Sequence, residues 1–317
     1  MHDTPLILVT GSTGHLGGRT TRFLLSDSSV RVRPHVRRGT TEPAWGTTVR
    51  VTEGDLREQF SIKQALNGVD TLLHLATRGY SSANPPSQQD LTEDFNTTMH
   101  LAKEARRHGV RRFVFVSSLH VYGAALHGSV SESTVPQPTG EYGRTHLRIE
   151  NELAELSNGS SMDVIIVRLT NTFGVPEFLA PSSWNLFIHD LCRQAVLSDT
   201  LVLRTNGQAC FDFLALRDAA RTIGGLVTNP DARSGVYLVG SGQSQTLQVF
   251  AERVCHATNE MFGHRPKISL NQWDHTPSIG FKLESCKLDA LGIHASKNWD
   301  VELHELLRLA HKIYGND

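Results

Sequence analysis

The sequence predicts an α/β protein, a doubly wound parallel sheet with a smaller C-terminal lobe. Three observations carry this. First, Leu6-Ile7-Leu8-Val9 is a continuous apolar run that opens into the turn Thr10-Gly11-Ser12-Thr13-Gly14-His15-Leu16-Gly17, and Leu16, Thr20, Phe23 and Leu24 then recur at helical spacing. Second, the apolar runs Thr71-Leu72-Leu73-His74-Leu75-Ala76, Phe113-Val114-Phe115-Val116 and Val164-Ile165-Ile166-Val167 alternate with helical patterns. Runs of this kind are strands buried on both faces, and their alternation with helices implies right-handed crossovers in one parallel sheet. Third, 317 residues can bury a core large enough for such a sheet and a lobe.

The first strand and its turn define a binding site. Gly11 allows the tight turn, Gly14 lets the backbone approach a pyrophosphate, and Gly17 lets the helix pack close to the strand. The free N–H groups at the helix start, around Thr13, His15 and Leu16, then face the phosphates. A buried strand before the glycines and a helix after them make dinucleotide binding the expected reading.

The second strand reads Val30-Arg31-Val32-Arg33-Pro34-His35-Val36, and Pro34 removes one ladder donor, so pairing is expected to break there. No acidic residue stands between Ser28 and Thr41 to take a ribose 2′-hydroxyl; Arg31, Arg33, Arg37 and Arg38 stand there instead. Two arginines just past a strand end suit a 2′-phosphate, so NADP(H) is expected, with Arg37 and Arg38 as its ligands and NAD as the alternative. Val49-Arg50-Val51-Thr52 is a third strand and runs into Glu53-Gly54-Asp55-Leu56; Ile62, Ala65 and Leu66 begin a short helix. The end of the fourth strand, Leu75-Ala76-Thr77, is expected beside the cofactor, because ligands sit outside the carboxyl ends of parallel strands. Asn84-Pro85-Pro86-Ser87 reads as a loop at the site mouth. Leu91, Phe95, Thr98, Met99, Ala102 and Ala105 form a helix face. Past residue 175 the chain is less informative. Residues 178–197 are expected to form a loop and helix over the substrate, with Trp184, Phe187 and Ile188 packing. Val236-Tyr237-Leu238-Val239 is a strand returning to the sheet, and two amphipathic helices begin near Leu247 and Leu303. Tyr122, Trp273 and Trp299 are expected in the core.

Composition excludes several classes. The 31 basic and 32 acidic residues leave no footprint for nucleic acid or an anionic membrane. No apolar stretch is long enough to span a bilayer, and Leu6 to Val9 is too short for a leader. The four cysteines lie far apart without a CxxC pair, and the histidines show no ligand spacing. Reduced thiols in a cytoplasmic protein, and no metal, are expected.

The chain resembles the extended short-chain dehydrogenase/reductase family of epimerases, dehydratases and reductases. The resemblance rests on Gly11-x-x-Gly14-x-x-Gly17; Gly54-Asp55-Leu56; His74-Leu75-Ala76; Asn96; Ser117-Ser118-Leu119-His120-Val121-Tyr122-Gly123; Tyr142-Gly143-x-Thr145-x-x-x-x-Glu150; Arg168-Leu169-x-Asn171-x-x-Gly174; and Asp212-Phe213 through Asp218-Ala219-Ala220. It implies a Rossmann domain over residues 1–175, with a returning segment near 210–240, and a substrate lobe over 176–317. It also implies that Asp55 and Leu56 flank the adenine, that Asn96 belongs to the cofactor site, that Ser118 hydrogen-bonds the reacting carbonyl and that Tyr142 is the acid/base. Asn171 and His120 fall on the substrate side, and a homodimer is compatible with it.

Two departures matter. The family's Lys, one helical turn after the Tyr, holds the nicotinamide ribose and supplies the positive charge that lowers a phenol pKa of about 10 toward neutrality. Here that position is His146. Three readings stay open: His146 replaces the Lys as ribose ligand and relay, the protein binds cofactor without turnover, or proton transfer runs through another group such as His120. The second departure is Phe211, which stands where nucleotide-diphosphate-binding members place an Arg. An apolar ring cannot pair with a diphosphate, although Arg204, Arg217 or Arg265 could compensate. The reading that results is an NADPH-dependent reductase of a ketone on a sugar-like or cyclitol-like substrate, as in aminoglycoside or deoxysugar assembly. The alternatives are a nucleotide-sugar epimerase or dehydratase with tightly bound NAD(P), and a non-catalytic NADP(H)-sensing protein.

Overall fold

The computed structural model describes residues 4–40, 45, 49–80, 85–123, 126–295 and 299–315. Seven parallel strands form the main sheet: β1 (Leu6–Thr10), β2 (Arg31–Val36), β3 (Thr52–Glu53), β4 (Thr71–His74), β5 (Arg112–Ser118), β6 (Asp163–Leu169) and β7 (Gly235–Val239). Their spatial order is β7-β6-β5-β4-β1-β2-β3. The chain moves outward from β1 in one direction and then returns to build on its other side, so β1 and β4 flank the point where the winding reverses. At such a point the turns after neighbouring strands diverge and leave a crevice at the carboxyl edge.

The alternation of side chains along each strand explains why these runs are apolar throughout. Leu6 and Leu8 join Leu72, Phe113, Phe115, Val164 and Ile166 on one face, under α2 (Gln59–Leu66), α3 (Gln88–Arg107) and α4 (Glu141–Ser157). Ile7 and Val9 join Leu73, Val114, Val116, Ile165 and Val167 on the other. That face is covered by α1 (His15–Leu25) and by a helix at Leu216–Thr228. Burying one such aliphatic side chain is worth roughly 1.5–3 kcal/mol, so both faces of the sheet contribute.

Strand β2 runs through Pro34 without a break: the ladder to β1 extends to Val9 opposite Pro34, and pairing to β3 begins at His35. The missing donor falls where β2 changes partners, so the interruption expected there does not occur. Ser87 caps α3, its Oγ accepting from Asp90 N while Ser87 N donates to the Asp90 carboxylate. Asn84 of the loop before it lies outside the described residues.

A second core gathers Trp184, Ile188, Leu191, Phe250, Val254, Trp299, Leu303 and Leu307, with Phe187 packed against it. It unites the helices at Phe187–Leu197, Leu247–Phe262 and Trp299–Tyr314. Tyr122 and Trp299 are buried as expected. Trp273 is not: it is 89% exposed. Its segment is tied down by polar groups, Asn206 N to Asp274 and Asn206 Nδ2 to Thr276 O, and these leave the indole outside. Among the described residues no helix is long and apolar enough to cross a membrane.

Candidate active site

The carboxyl edge between β1 and β4 carries the glycine turn. Gly11 has φ +70°, and a Cβ there would stand 2.6 Å from the Leu75 carbonyl carbon and oxygen. A Cβ on Gly17 would stand 2.0 Å from Gly11 O. Gly14 differs, since its Cβ would meet only Gly11 O, at 3.1 Å. Two glycines are thus demanded by the protein's own packing, and the third is pressed far less, by a single backbone oxygen that must give by a few tenths of an ångström. Gly14 is the N-cap and places no side-chain bond on the helix start, and the first turn of α1 carries no acid. Those N–H groups are left for an anion.

His74 fastens this edge. Its Nδ1 meets Thr10 Oγ1 at 2.7 Å and its Nε2 meets Thr98 Oγ1 at 2.9 Å, joining β1, β4 and α3. Leu75, Ala76 and Thr77 follow, partly buried beside the turn. Ser12 Oγ donates to His35 O, tying the turn to the end of β2. Beyond β2, Arg37 and Arg38 are exposed, and Arg38 pairs with Glu58 at 2.9 Å. Asp55 accepts from Arg57, which holds its carboxyl down at about 2, while Leu56 is buried against α2.

A cluster of hydroxyl and ring groups stands at the end of β5. Ser118 is the last residue of the strand, and Tyr142 and His146 project from α4. The Ser118 hydroxyl is a polar neighbour of the Tyr142 side chain and favours the ionised phenol. Ser118 Oγ also lies 3.0 Å from His120 Nδ1 and accepts from His120 N at 3.3 Å. Tyr142 and His120 rings meet edge to face at 5.4 Å, and Tyr80 closes the group at 4.7 Å from His120 and 5.4 Å from Tyr142. Helix α4 approaches this closely because residue 143 is glycine: a Cβ there would stand 2.3 Å from His120 O.

The electrostatics are unlike those of a Tyr–Lys pair. Burial pushes the Tyr142 phenol up and Asp94 adds to that, while the Ser118 hydroxyl opposes it. Burial, helped by His120 and His74, pushes His146 down to about 3, so it is neutral. Its ring stacks on Phe115 at 5.7 Å and meets the Tyr142 ring tilted by 53° at 4.4 Å, and its Nδ1 is buried without a hydrogen-bond partner. Among the described residues no cation in the cluster lowers the phenol.

Other motif residues serve the fold. Glu150 accepts from Ser117 Oγ and from Arg168 Nη2 at 2.6 Å, and Arg168 Nη1 donates to Tyr122 OH at 2.8 Å. All four are buried. Asn96 is not brought to the cluster. It is exposed on α3, in a groove with Arg57, Thr92 and His100. Asp94, two residues earlier and on the opposite side of the helix, is buried and binds Arg78 through that residue's N–H and guanidinium. Tyr80 and Asp94 were not singled out by the motif reading. Asp94 does share the helical spacing of Leu91, Thr98 and Leu101, whereas nothing local distinguishes Tyr80 from an ordinary loop residue. On the lobe side, Asn171 Nδ2 donates to Asp212 O, and Phe211 is 36% exposed beside Phe213. Arg217 is engaged by Glu305 and Glu302.

Residues 7–240 match the NAD dependent epimerase/dehydratase family. "Sterol demethylase protein B" of Methylococcus capsulatus is 33% identical over 270 residues, 83% of this chain and 76% of that protein. A UDP-glucose 4-epimerase of Vibrio cholerae is 31% identical over 53% of this chain, and the match spans only 52% of that relative's length. Among solved structures, the UDP-glucuronic acid 4-epimerase of Bacillus cereus, in complex with UDP-glucuronic acid and NAD, superposes with a TM-score of 0.81 at 19% identity, covering 98% of this chain and 100% of that one. MoeE5 in complex with UDP-glucose and NAD superposes at 0.77 with 23% identity, covering 97% and 99%. At these identities the structural likeness speaks for the fold, and the sequence match for the family. With its glycine turn, its 3-2-1-4-5-6-7 parallel sheet and this match over most of its length, the chain belongs to the NAD-dependent epimerase/dehydratase family.

Proposed function

We propose that this protein moves a hydride at a hydroxyl- or carbonyl-bearing carbon of a sugar-like ring, taking it and returning it within one catalytic cycle as an epimerase or dehydratase does. One observation carries the reading: Ser118 at the end of β5 and Tyr142 at the start of α4 gather with the His120 ring at the carboxyl edge of the sheet, two strands from the glycine turn. Hydride transfer needs a proton donor and acceptor at the substrate oxygen, and a phenol backed by a second hydroxyl can exchange that proton. In this reading Tyr142 is the acid/base that meets the substrate oxygen, Ser118 is the hydroxyl beside it, and Gly11, Gly14 and Gly17 with Leu75, Ala76 and Thr77 shape the dinucleotide bed. The nicotinamide dinucleotide supplies and accepts the hydride. NAD and a UDP-sugar together in both of the related structures named above favour the cycling reaction over net reduction.

Net reduction of a ketone by NADPH is the second reading, and Phe211 favours it. Its exposed ring stands where a diphosphate ligand is wanted, and Arg217 is already paired. An apolar ring suits an apolar portion of substrate, in keeping with a relative named for sterols. Arg37 and Arg38, past a strand end that lacks an acid, support NADP(H) in either reading.

Incubation with UDP-glucose and NAD separates the two. The cycling reaction forms the 4-epimer without net change in cofactor. Net reduction gives no epimer, and NADPH is consumed when a cyclic ketone is added. Tight dinucleotide binding with neither reaction would leave only a cofactor-binding role.

A further inference from the structure

The Ser118 hydroxyl has one proton to give and two lone pairs to fill. His120 lies against it twice, through its backbone N–H at 3.3 Å and its ring Nδ1 at 3.0 Å. If the ring carries its proton on Nδ1, both contacts are donations, both lone pairs are taken, and the Ser118 proton can only point away, toward Tyr142. If the proton is on Nε2, Ser118 must give its proton to Nδ1, and Tyr142 receives none. The tautomer of one ring therefore sets the direction of the hydrogen bond at the reacting oxygen.

We propose that His120 is the relay residue of this site, an Nδ1–H imidazole that turns the Ser118 proton toward Tyr142 and connects that phenol to solvent. The geometry fits the task. The ring is half-buried between Tyr80 and Tyr142, so its orientation is fixed by rings on two sides while one edge reaches water. The Gly143 contact holds the His120 backbone against α4. His146 does not offer the same route, since it is fully enclosed between Phe115 and Tyr142 and its Nδ1 has no hydrogen bond to Ser118 or to any other group of the site. Where the family uses a charged side chain to ease the phenol's ionisation, this chain places a neutral proton wire on its other side.

The step balances. In ketone reduction the carbonyl carbon takes a hydride, with its electron pair, from the reduced nicotinamide dinucleotide, and the oxygen takes the Tyr142 proton. Tyr142 recovers a proton from Ser118, Ser118 from His120 Nδ1, and His120 Nε2 takes one from water. One hydride and one solvent proton are consumed, and the imidazole then re-equilibrates with solvent. Oxidation of an alcohol runs the same chain in reverse. The proposal rests on the hydride-transfer reading for its use, and on the Ser118–His120 geometry for its existence.

The test therefore begins without turnover. Nitrogen-15 NMR of histidine-labelled protein, with NAD present, reads the tautomer of each ring, and His120→Asn identifies the His120 signals. The expected result is the Nδ1–H form at His120, shifting toward Nε2–H in Ser118→Ala. An Nε2–H form in the unmodified protein, or a tautomer indifferent to Ser118→Ala, overturns the proposal. The second arm follows phenol ionisation by ultraviolet absorbance, with Tyr142→Phe to identify the Tyr142 contribution. His120→Phe, which keeps a ring in the cluster, should raise the pH at which Tyr142 ionises, and an unchanged value counts against the relay. With UDP-glucose as probe, His120→Phe should lower hydride transfer by about tenfold or more at unchanged NAD affinity. If the unmodified protein transfers no hydride with UDP-glucose or a cyclic ketone, the functional reading fails, while the tautomer still decides the relay.

Discussion

Tyr142 and His146 stand one helical turn apart on α4 with ring centroids 4.4 Å apart, and the histidine under the phenol is neutral, held down at about 3 by burial. A ring in that state supplies no charge across the neutral pH range. It packs, and it leaves a nitrogen unsatisfied. The expectation that His146 feeds charge to the phenol therefore has no support in this arrangement. Its role as a ribose ligand stays compatible with the free Nδ1.

His146→Lys should restore the missing field. A cation one turn away favours the phenolate, and opposite charges at this range move a pKa by roughly 1–3 units. The absorbance titration of Tyr142 should move downward by at least about one unit in that variant. An unmoved titration would show that the substituted ammonium turns away from the phenol.

The glycines separate folding from binding. Gly17→Ala forces a Cβ to 2.0 Å from Gly11 O, and both atoms belong to or hang on backbone, so thermal stability should fall sharply. Gly14→Ala meets only Gly11 O at 3.1 Å, so its melting temperature should stay close to that of the unmodified protein. Its methyl would occupy the space left for pyrophosphate, and dinucleotide affinity should drop by about tenfold or more. Calorimetry and dinucleotide titration on the two variants check this pair. Equal behaviour would contradict it.

The proposal that Arg37 and Arg38 take a 2′-phosphate is tested by removing them. Removing both should weaken NADPH binding by roughly 2–4 kcal/mol, at about 1.5–3 for each charged hydrogen bond before allowance for their exposure. NADH affinity should hardly change. Titrations of both cofactors against the double alanine variant are the check, and equal affinity of the unmodified protein for NADH and NADPH would contradict the assignment.

Acid should unfold this protein early. His35, His74 and His146 are buried and held at about 4, 3 and 3, well below the ordinary 6.5, with burial the main cause in each. The folded chain therefore binds fewer protons than the unfolded chain between those values and 6.5. Their contribution is complete above pH 6.5 and is lost as the pH falls. Three such groups cost about 4 kcal/mol per pH unit at 1.36 each until His35 protonates near 4, so a stability in the lower part of the usual range of about 5–15 kcal/mol is exhausted roughly one to two and a half units below 6.5. Circular dichroism should show loss of structure on acidification in that window, and His146→Phe should move its midpoint to lower pH. A midpoint unmoved by His146→Phe would mean that this histidine is not kept neutral by burial.

Much of the fold was legible because β1, β4, β5 and β6 are buried on both faces and so carry unbroken apolar runs. The carboxyl-edge position of the glycine turn followed from strand, turn and helix alone. The site was less so. Ser118, His120, Tyr142 and His146 could be named from their motifs, but the sequence could not show that His146 is enclosed and neutral or that His120 touches Ser118 twice. Asn96 went to the wrong face because two residues along a helix reverse direction, and the polar residue facing inward was Asp94. Glu150 and Arg168 belong to motifs that carry the resemblance, and their contact across α4 and β6 holds the core. Trp273 was misplaced because its exposure follows from turn hydrogen bonds some seventy residues apart in sequence. Tyr80 had no local signal at all.

The central claim is that hydride transfer here is coupled to a proton held by Tyr142. It is tested most directly by hydride transfer to or from the bound dinucleotide, followed by its absorbance when UDP-glucose or a cyclic ketone is added, in the unmodified protein and in Tyr142→Phe. The account predicts that the variant binds dinucleotide as before and loses about 10²–10⁴-fold or more in rate, the usual worth of a positioned acid or base. A Tyr142→Phe variant that keeps more than about a tenth of the rate would contradict it, since the proton would then travel by a path that does not include the phenol.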